Sequence, residues 1–176
     1  MLQGGKYMIL ATLPAFLETL AESEFGRVLV TLIIAMVPVI ELRGAIPIGV
    51  FTFGLPPLAA AAIAAVGNII PVPLIILFIR KMFNWMKKIG GVLGKIAAWL
   101  EARAHNKSSA LQRGEFWGLM IFVAIPLPGT GAWTGALIAA MLDMRMKRAL
   151  PSIILGVVIA GILVTGITVG FTHLLD

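Results

Sequence analysis

Between Arg27 and Arg80 only two side chains carry charge, Glu41 and Arg43, and residues 116–142 and 149–175 carry none. Four apolar segments result, at about 28–55, 56–79, 116–142 and 150–172. A helix needs roughly 20 apolar residues to cross a hydrocarbon core about 30 Å thick, so each segment is long enough to enter a bilayer. The whole 176-residue chain is 60% hydrophobic and 12% charged, against roughly 25% charged in soluble domains. Mean hydropathy is +1.02. These values exclude an ordinary soluble domain and point to one compact, all-α integral membrane domain.

The placement of charge argues against four simple crossings. Residues 80–115 hold Arg80, Lys81, Lys87, Lys88, Lys95, Arg103, Lys107 and Arg113 against Glu101 and Glu115, and Asp143–Arg148 adds Arg145, Lys147 and Arg148. Short basic loops stay on the cytoplasmic side. A single crossing by 116–142 would put these two basic loops on opposite faces. A re-entrant hairpin over about 116–142 keeps both inside. Its centre, "IPLPGTGAWTG", carries Pro126, Pro128, Gly129 and Gly131, residues that stop helices and permit reversals. The segment at about 28–55 has the same form, with Gly44, Pro47 and Gly49 expected at its tip. Its ends would face away from the cytoplasm, beside Glu18, Glu22 and Glu24. Helices over about 56–79 and 150–172 are then the true crossings.

This reading divides the chain into an N-terminal interfacial segment (1–26), a first repeat (27–80), a cytoplasmic connector (81–114) and a second repeat (115–176). Each repeat is a re-entrant hairpin followed by a transmembrane helix, and the two start on opposite faces, an inverted repeat. Such repeats with broken helices are a transporter architecture. The connector places Trp85, Ile89, Val92, Ile96 and Trp99 at helical spacing with lysines elsewhere, the pattern of an amphipathic helix lying on anionic lipids.

Charged residues within a membrane segment mark function by default, so Glu41 and Arg43 are the first site candidates. Two residues apart, they cannot share one face of a regular helix. At a broken tip both can turn toward one cavity. Arg43 presents a planar fork suited to phosphate or carboxylate, and Glu41 can exchange a proton; the alternative is that the pair only locks the tip. Asn68, ahead of Pro71 and Pro73, either faces the cavity or satisfies backbone freed by the prolines. Thr130, Trp133 and Thr134 can line the path in the second hairpin, and Gly156, Gly161, Gly166 and Gly170 permit close packing of the last helix. Asp143, beside Arg145, Lys147 and Arg148, reads as a solvated interfacial cluster. No cysteine occurs, the two histidines stand far apart, and no HExxH, GxSxG or phosphate-loop setting appears. The expectation is a protein without metal or cofactor that is not an enzyme and does not bind nucleic acid.

"PVIELRGAIPIG" (38–49), "GNIIPVPLI" (67–75) and "PLPGTGAWTGALIA" (126–139) resemble the small multi-drug export protein family, which is related to the DedA/VTT superfamily. The resemblance covers roughly 25–172. It implies two opposed re-entrant hairpins and, from the wider superfamily, lipid translocation, including that of undecaprenyl phosphate, often linked to protons. DedA proteins typically carry arginines around the proline of the second hairpin; here Thr130 stands in that tip and Arg43 is the only tip cation. The resulting expectation is a multi-pass protein of the cytoplasmic (inner) membrane that moves an anionic lipid or small amphiphilic substrate with protons, among membrane lipids, as a monomer or homo-oligomer. The alternatives are a small-molecule exporter and a non-transporting scaffold.

Overall fold

The computed structural model describes residues 23–91, 109–127 and 129–175. The expected interfacial segment lies almost wholly outside the described residues, as do Pro128 and the connector from Val92 to Ser108. The described chain is helical: α1 (Glu24–Met36), α2 (Glu41–Pro47), a π-helical turn (Ile48–Thr52), α3 (Pro57–Ile69), α4 (Pro71–Ile89), α5 (Ser109–Ala124), α6 (Ala132–Met141) and α7 (Met146–Leu175).

The start of α1 follows from Ser23, whose hydroxyl accepts the Gly26 N–H at 3.0 Å and so satisfies one of the donors a helix start leaves open. Glu24 in the first turn also suits the positive end of the helix dipole. α3 and α4 are separated by Ile70 alone, with Pro71 and Pro73 in the first turn of α4, where a missing N–H costs least. The combined run Pro57–Met86 and the run Met146–Phe171 are the two long enough and apolar enough to cross a membrane. α4 continues to Ile89 and ends at Gly90 and Gly91, both at positive φ. Residues 81–89 therefore prolong this helix instead of opening a separate surface helix, because no breaker precedes the two glycines.

Two units divide the described residues, one running through Asn68 and including the chain from Ile159 onward, the other running from Ile69 to Val158. In the first unit α1 and α2 form a helical hairpin and pack on each other. α3 lies against it: a Cβ on Gly67 would stand 2.4 Å from the Leu32 carbonyl oxygen, and one on Gly49 would stand 3.2 Å from both Ala60 Cβ and Thr31 Cγ2. Phe51 and Phe171 meet edge to face at 6.4 Å.

The second unit repeats this plan. α5 and α6 form a hairpin, and α6 also packs along α4. A Cβ on Gly135 would reach 2.6 Å from Val123 Cγ2, and one on Gly156 of α7 would reach 2.8 Å from the Met120 carbonyl oxygen. Ser152 donates to the Phe116 carbonyl at 2.7 Å. In both units, then, a glycine on the long helix admits a backbone carbonyl of the hairpin's first arm. Gly161, Gly166 and Gly170 meet nothing within 4 Å among the described residues, so of the four glycines expected to pack α7, only Gly156 does. Leu74, Leu77, Phe78, Ile162 and Ile167 stand exposed, an apolar surface suited to lipid.

Candidate functional site

In the first hairpin the chain reverses at Val37–Glu41. The Val37 N–H reaches the Ile34 carbonyl at 3.1 Å, and the Glu41 N–H reaches the Val37 carbonyl at 3.0 Å. Gly44, Pro47 and Gly49, expected at this tip, lie instead within α2 and the π-helical turn. Their small or rigid side chains serve packing and helix shape: a Cβ on Gly44 would stand 2.3 Å from Ile40 Cγ2. The residue in the left-handed region is Glu41, at φ 50°. An L-residue with a long side chain rarely adopts this conformation, which costs about 1–2 kcal/mol, and such strain collects at functional sites.

That backbone angle also explains how two residues that cannot face each other on a regular helix come together. Glu41 leaves the helical path, and its Oε2 lies 3.5 Å from Arg43 Nη1. Glu41 is 3% exposed, while the Arg43 side chain retains 18%. The pair is asymmetric: a nearly enclosed carboxylate and a guanidinium whose edge can still be reached.

Asn68 sits at the end of α3, fully buried. Neither its amide nitrogen nor its amide oxygen has a hydrogen-bond partner among the described residues. It therefore does not satisfy the backbone freed by Pro71 and Pro73, the alternative raised by its position in the sequence. Thr52 is likewise buried with an unpartnered hydroxyl among the described residues.

In the second unit the reversal runs through 125–131, with Pro126, Gly129 and Gly131 in it. Gly129 takes φ 84°, the left-handed region glycine enters freely. Thr130 directs its hydroxyl to the carbonyls of Ile125 (2.6 Å) and Leu127 (2.9 Å), so its one proton is committed to holding the tip. Trp133 and Thr134 are half-buried in the first turns of α6. At the far end of α6, Arg80 donates to the Met144 carbonyl, and its Nε lies 3.9 Å from Asp143 Oδ1. Asp143 is thus tied to α4 as well as solvated. Sequence reasoning counted Arg80 only as loop charge; its place at the end of an apolar span, facing the α6–α7 corner, was the available signal.

Two long apolar helices, paired helical hairpins and an exposed apolar surface define a helical membrane protein. Residues 41–163 match the profile of the small multi-drug export protein family, and the chain belongs to that family. The family points to a membrane exporter. The match opens at Glu41 and takes in Arg43, Asn68 and the whole second hairpin. No curated protein and no solved structure matches the chain.

Proposed function

We propose that this protein is a proton-coupled exporter of small amphiphilic molecules in the cytoplasmic membrane, with the Glu41–Arg43 pair at its centre. The observation that carries the proposal is the pair itself: a carboxylate 3% exposed, 3.5 Å from a guanidinium, at a strained reversal in an apolar hairpin. Burying two charges is expensive, and a well-packed apolar pair would often serve stability as well or better. A site that must bind and release charge has a use for them. The accessible edge of Arg43 takes the anionic group of the substrate. Glu41, released from Arg43 as the anion arrives, takes a proton, and it loses the proton when the substrate departs.

The hairpins are re-entrant in this reading, and the two units form an inverted repeat. α1 has 13 residues and α6 has 10, which at 1.5 Å per residue reach roughly 20 and 15 Å, short of a ~30 Å core. The recurrence of the glycine-to-carbonyl packing in both units supports the repeat. Non-helical backbone at depth is tolerated where protein or a wet cavity surrounds it, and the buried reversal at Val37–Glu41 fits that condition. A lipid-linked phosphate is a second substrate reading, favoured by the reachable guanidinium of Arg43.

The test is flux in proteoliposomes under an imposed pH gradient, with a dansylated fatty acid as the anionic probe and ethidium as the cationic one. Wild-type protein should move the anionic probe faster under the gradient, and Glu41→Gln should remove the gradient dependence. Flux of neither probe would overturn the exporter reading in favour of a scaffold. Single cysteines at Ser108 and Met146 test the topology: labelling of both from the cytoplasmic face is expected, and labelling from opposite faces would remove the re-entrant second hairpin.

A further inference from the structure

The register of the first unit carries an inference about Asn68. Gly49 of the hairpin lies against Ala60 of α3, a Cβ at Gly49 falling 3.2 Å from Ala60 Cβ. From that contact, Glu41 lies eight residues back along the hairpin and Asn68 eight residues forward along α3. Each step of eight residues rises about 12 Å along a helix.

The two steps run in the same direction. Gly49 also abuts Thr31, and Gly67 abuts Leu32 and Ala35, so α1 and α3 advance together toward the reversal, and α2 returns from it. The reversal end of the hairpin, where Glu41 stands, is therefore level with the end of α3 that carries Asn68. Faces agree as well as levels. The buried residues of α3 are Ala60, Ala64, Gly67 and Asn68, a single stripe whose members Ala60 and Gly67 touch the hairpin. Along α2 and the π-helical turn, Glu41, Ala45, Gly49 and Thr52 are buried at matching spacing. Gly49 opposes Ala60, Ala45 falls level with Ala64, and Glu41 falls level with Asn68: two small rungs, then a polar one.

The polar rung is chemically incomplete from the Asn68 side. Its carboxamide has two N–H donors and an acceptor oxygen, and none is met among the described residues. The Gly67 carbonyl beside it receives no helical donor, because the residue four further on is Pro71 and has no N–H. A buried donor and acceptor in this state are satisfied by water wherever the site is polar and has two or more partners. We propose that Asn68 and Glu41 are opposite walls of a water-holding polar site inside the first unit, and that Glu41 exchanges its proton through this water. Asn68 is then a positioning residue for the coupling step. The proton passes between a Glu41 carboxylate oxygen and the water, which is held by the Asn68 amide and the Gly67 carbonyl, with no bond to carbon made or broken. The coupling role rests on the exporter reading above; the water site does not.

The native chain has no cysteine, so the site can be probed in the full-length protein in proteoliposomes with a small water-borne thiosulfonate. Asn68→Cys should label, while Ala64→Cys, one turn away on the same stripe, should stay unlabelled under the same exposure. If Asn68→Cys does not fold, Glu41→Cys reads the same water from the other wall. Protection of the folded variant equal to that of Ala64→Cys overturns the water site, whatever the transport assay gives. For the coupling role, Asn68→Ala should shift the pH profile of dansyl fatty acid flux and leave flux at saturating proton gradient in place, with Asn68→Gln closer to wild type. An unshifted profile in Asn68→Ala beside a labelled Asn68→Cys overturns that role alone.

Discussion

The two hairpins share a packing plan and differ at their tips. In each unit a glycine of the long helix, Gly67 or Gly156, lies against a carbonyl of the first arm, Leu32 or Met120, and a glycine of the second arm, Gly49 or Gly135, lies against both neighbours. At the tips the resemblance ends. The first reversal closes on a left-handed Glu41 facing Arg43. The second has no charged side chain in 125–131 and is closed by Gly129 and by the Thr130 hydroxyl on its own carbonyls. The scaffold is duplicated and the ionisable chemistry is not. A tip can therefore be stable without charge in this fold, and the charge in the first tip calls for a reason other than stability.

The sharpest way to break this comparison is to unpair the charges. Glu41→Ala leaves Arg43 without its carboxylate and should cost about 3–5 kcal/mol in denaturant unfolding from detergent micelles. Replacing both, Glu41→Leu with Arg43→Met, should recover most of that loss yet abolish flux of the anionic probe. A double variant that transports would reduce the pair to a lock. The shared scaffold is tested next: Gly67→Ala and Gly156→Ala should each destabilise by about 1–3 kcal/mol through overpacking against a carbonyl. A cost in one unit and none in the other would break the repeat. Thr130→Val should lose about 1 kcal/mol, the typical worth of a hydrogen bond, and leave probe flux intact, since that hydroxyl serves the tip alone. The smallest effect is expected at Asp143→Ala: a half-exposed partner 3.9 Å from Arg80 is worth at most about 1 kcal/mol in thermal unfolding.

The long apolar helices were legible in the sequence because hydropathy over 20 residues leaves little choice. The hairpins were legible as interrupted segments, but the first reversal was misplaced by several residues. The reason is that glycine signals two different things. At Gly129 it signals a positive φ; at Gly44 and Gly49 it signals a neighbour too close for a Cβ. Only three-dimensional packing separates the two meanings, and the left-handed residue of the first tip is a glutamate that no turn preference would select. The Glu41–Arg43 pair stood out by its charge alone. That Asn68 lacks partners could not be read from one polar residue in an apolar run, and the attachment of Arg80 to the corner after α6 depends on a contact 64 residues away in the chain.

The π-helical turn at Ile48–Thr52, where the Phe53 N–H reaches back five residues to the Ile48 carbonyl at 3.2 Å, has a consequence for how this protein tolerates changes in length. A turn of this kind is a helix carrying one surplus residue. Deleting Val50 would let the segment relax into ordinary α-helix while turning everything after it by about 100° relative to Glu41. The ladder that sets Ala60 against Gly49 would lose its phase. Length at this position works as an angular setting, and one residue more or fewer there rotates the wall that stands opposite the buried acid.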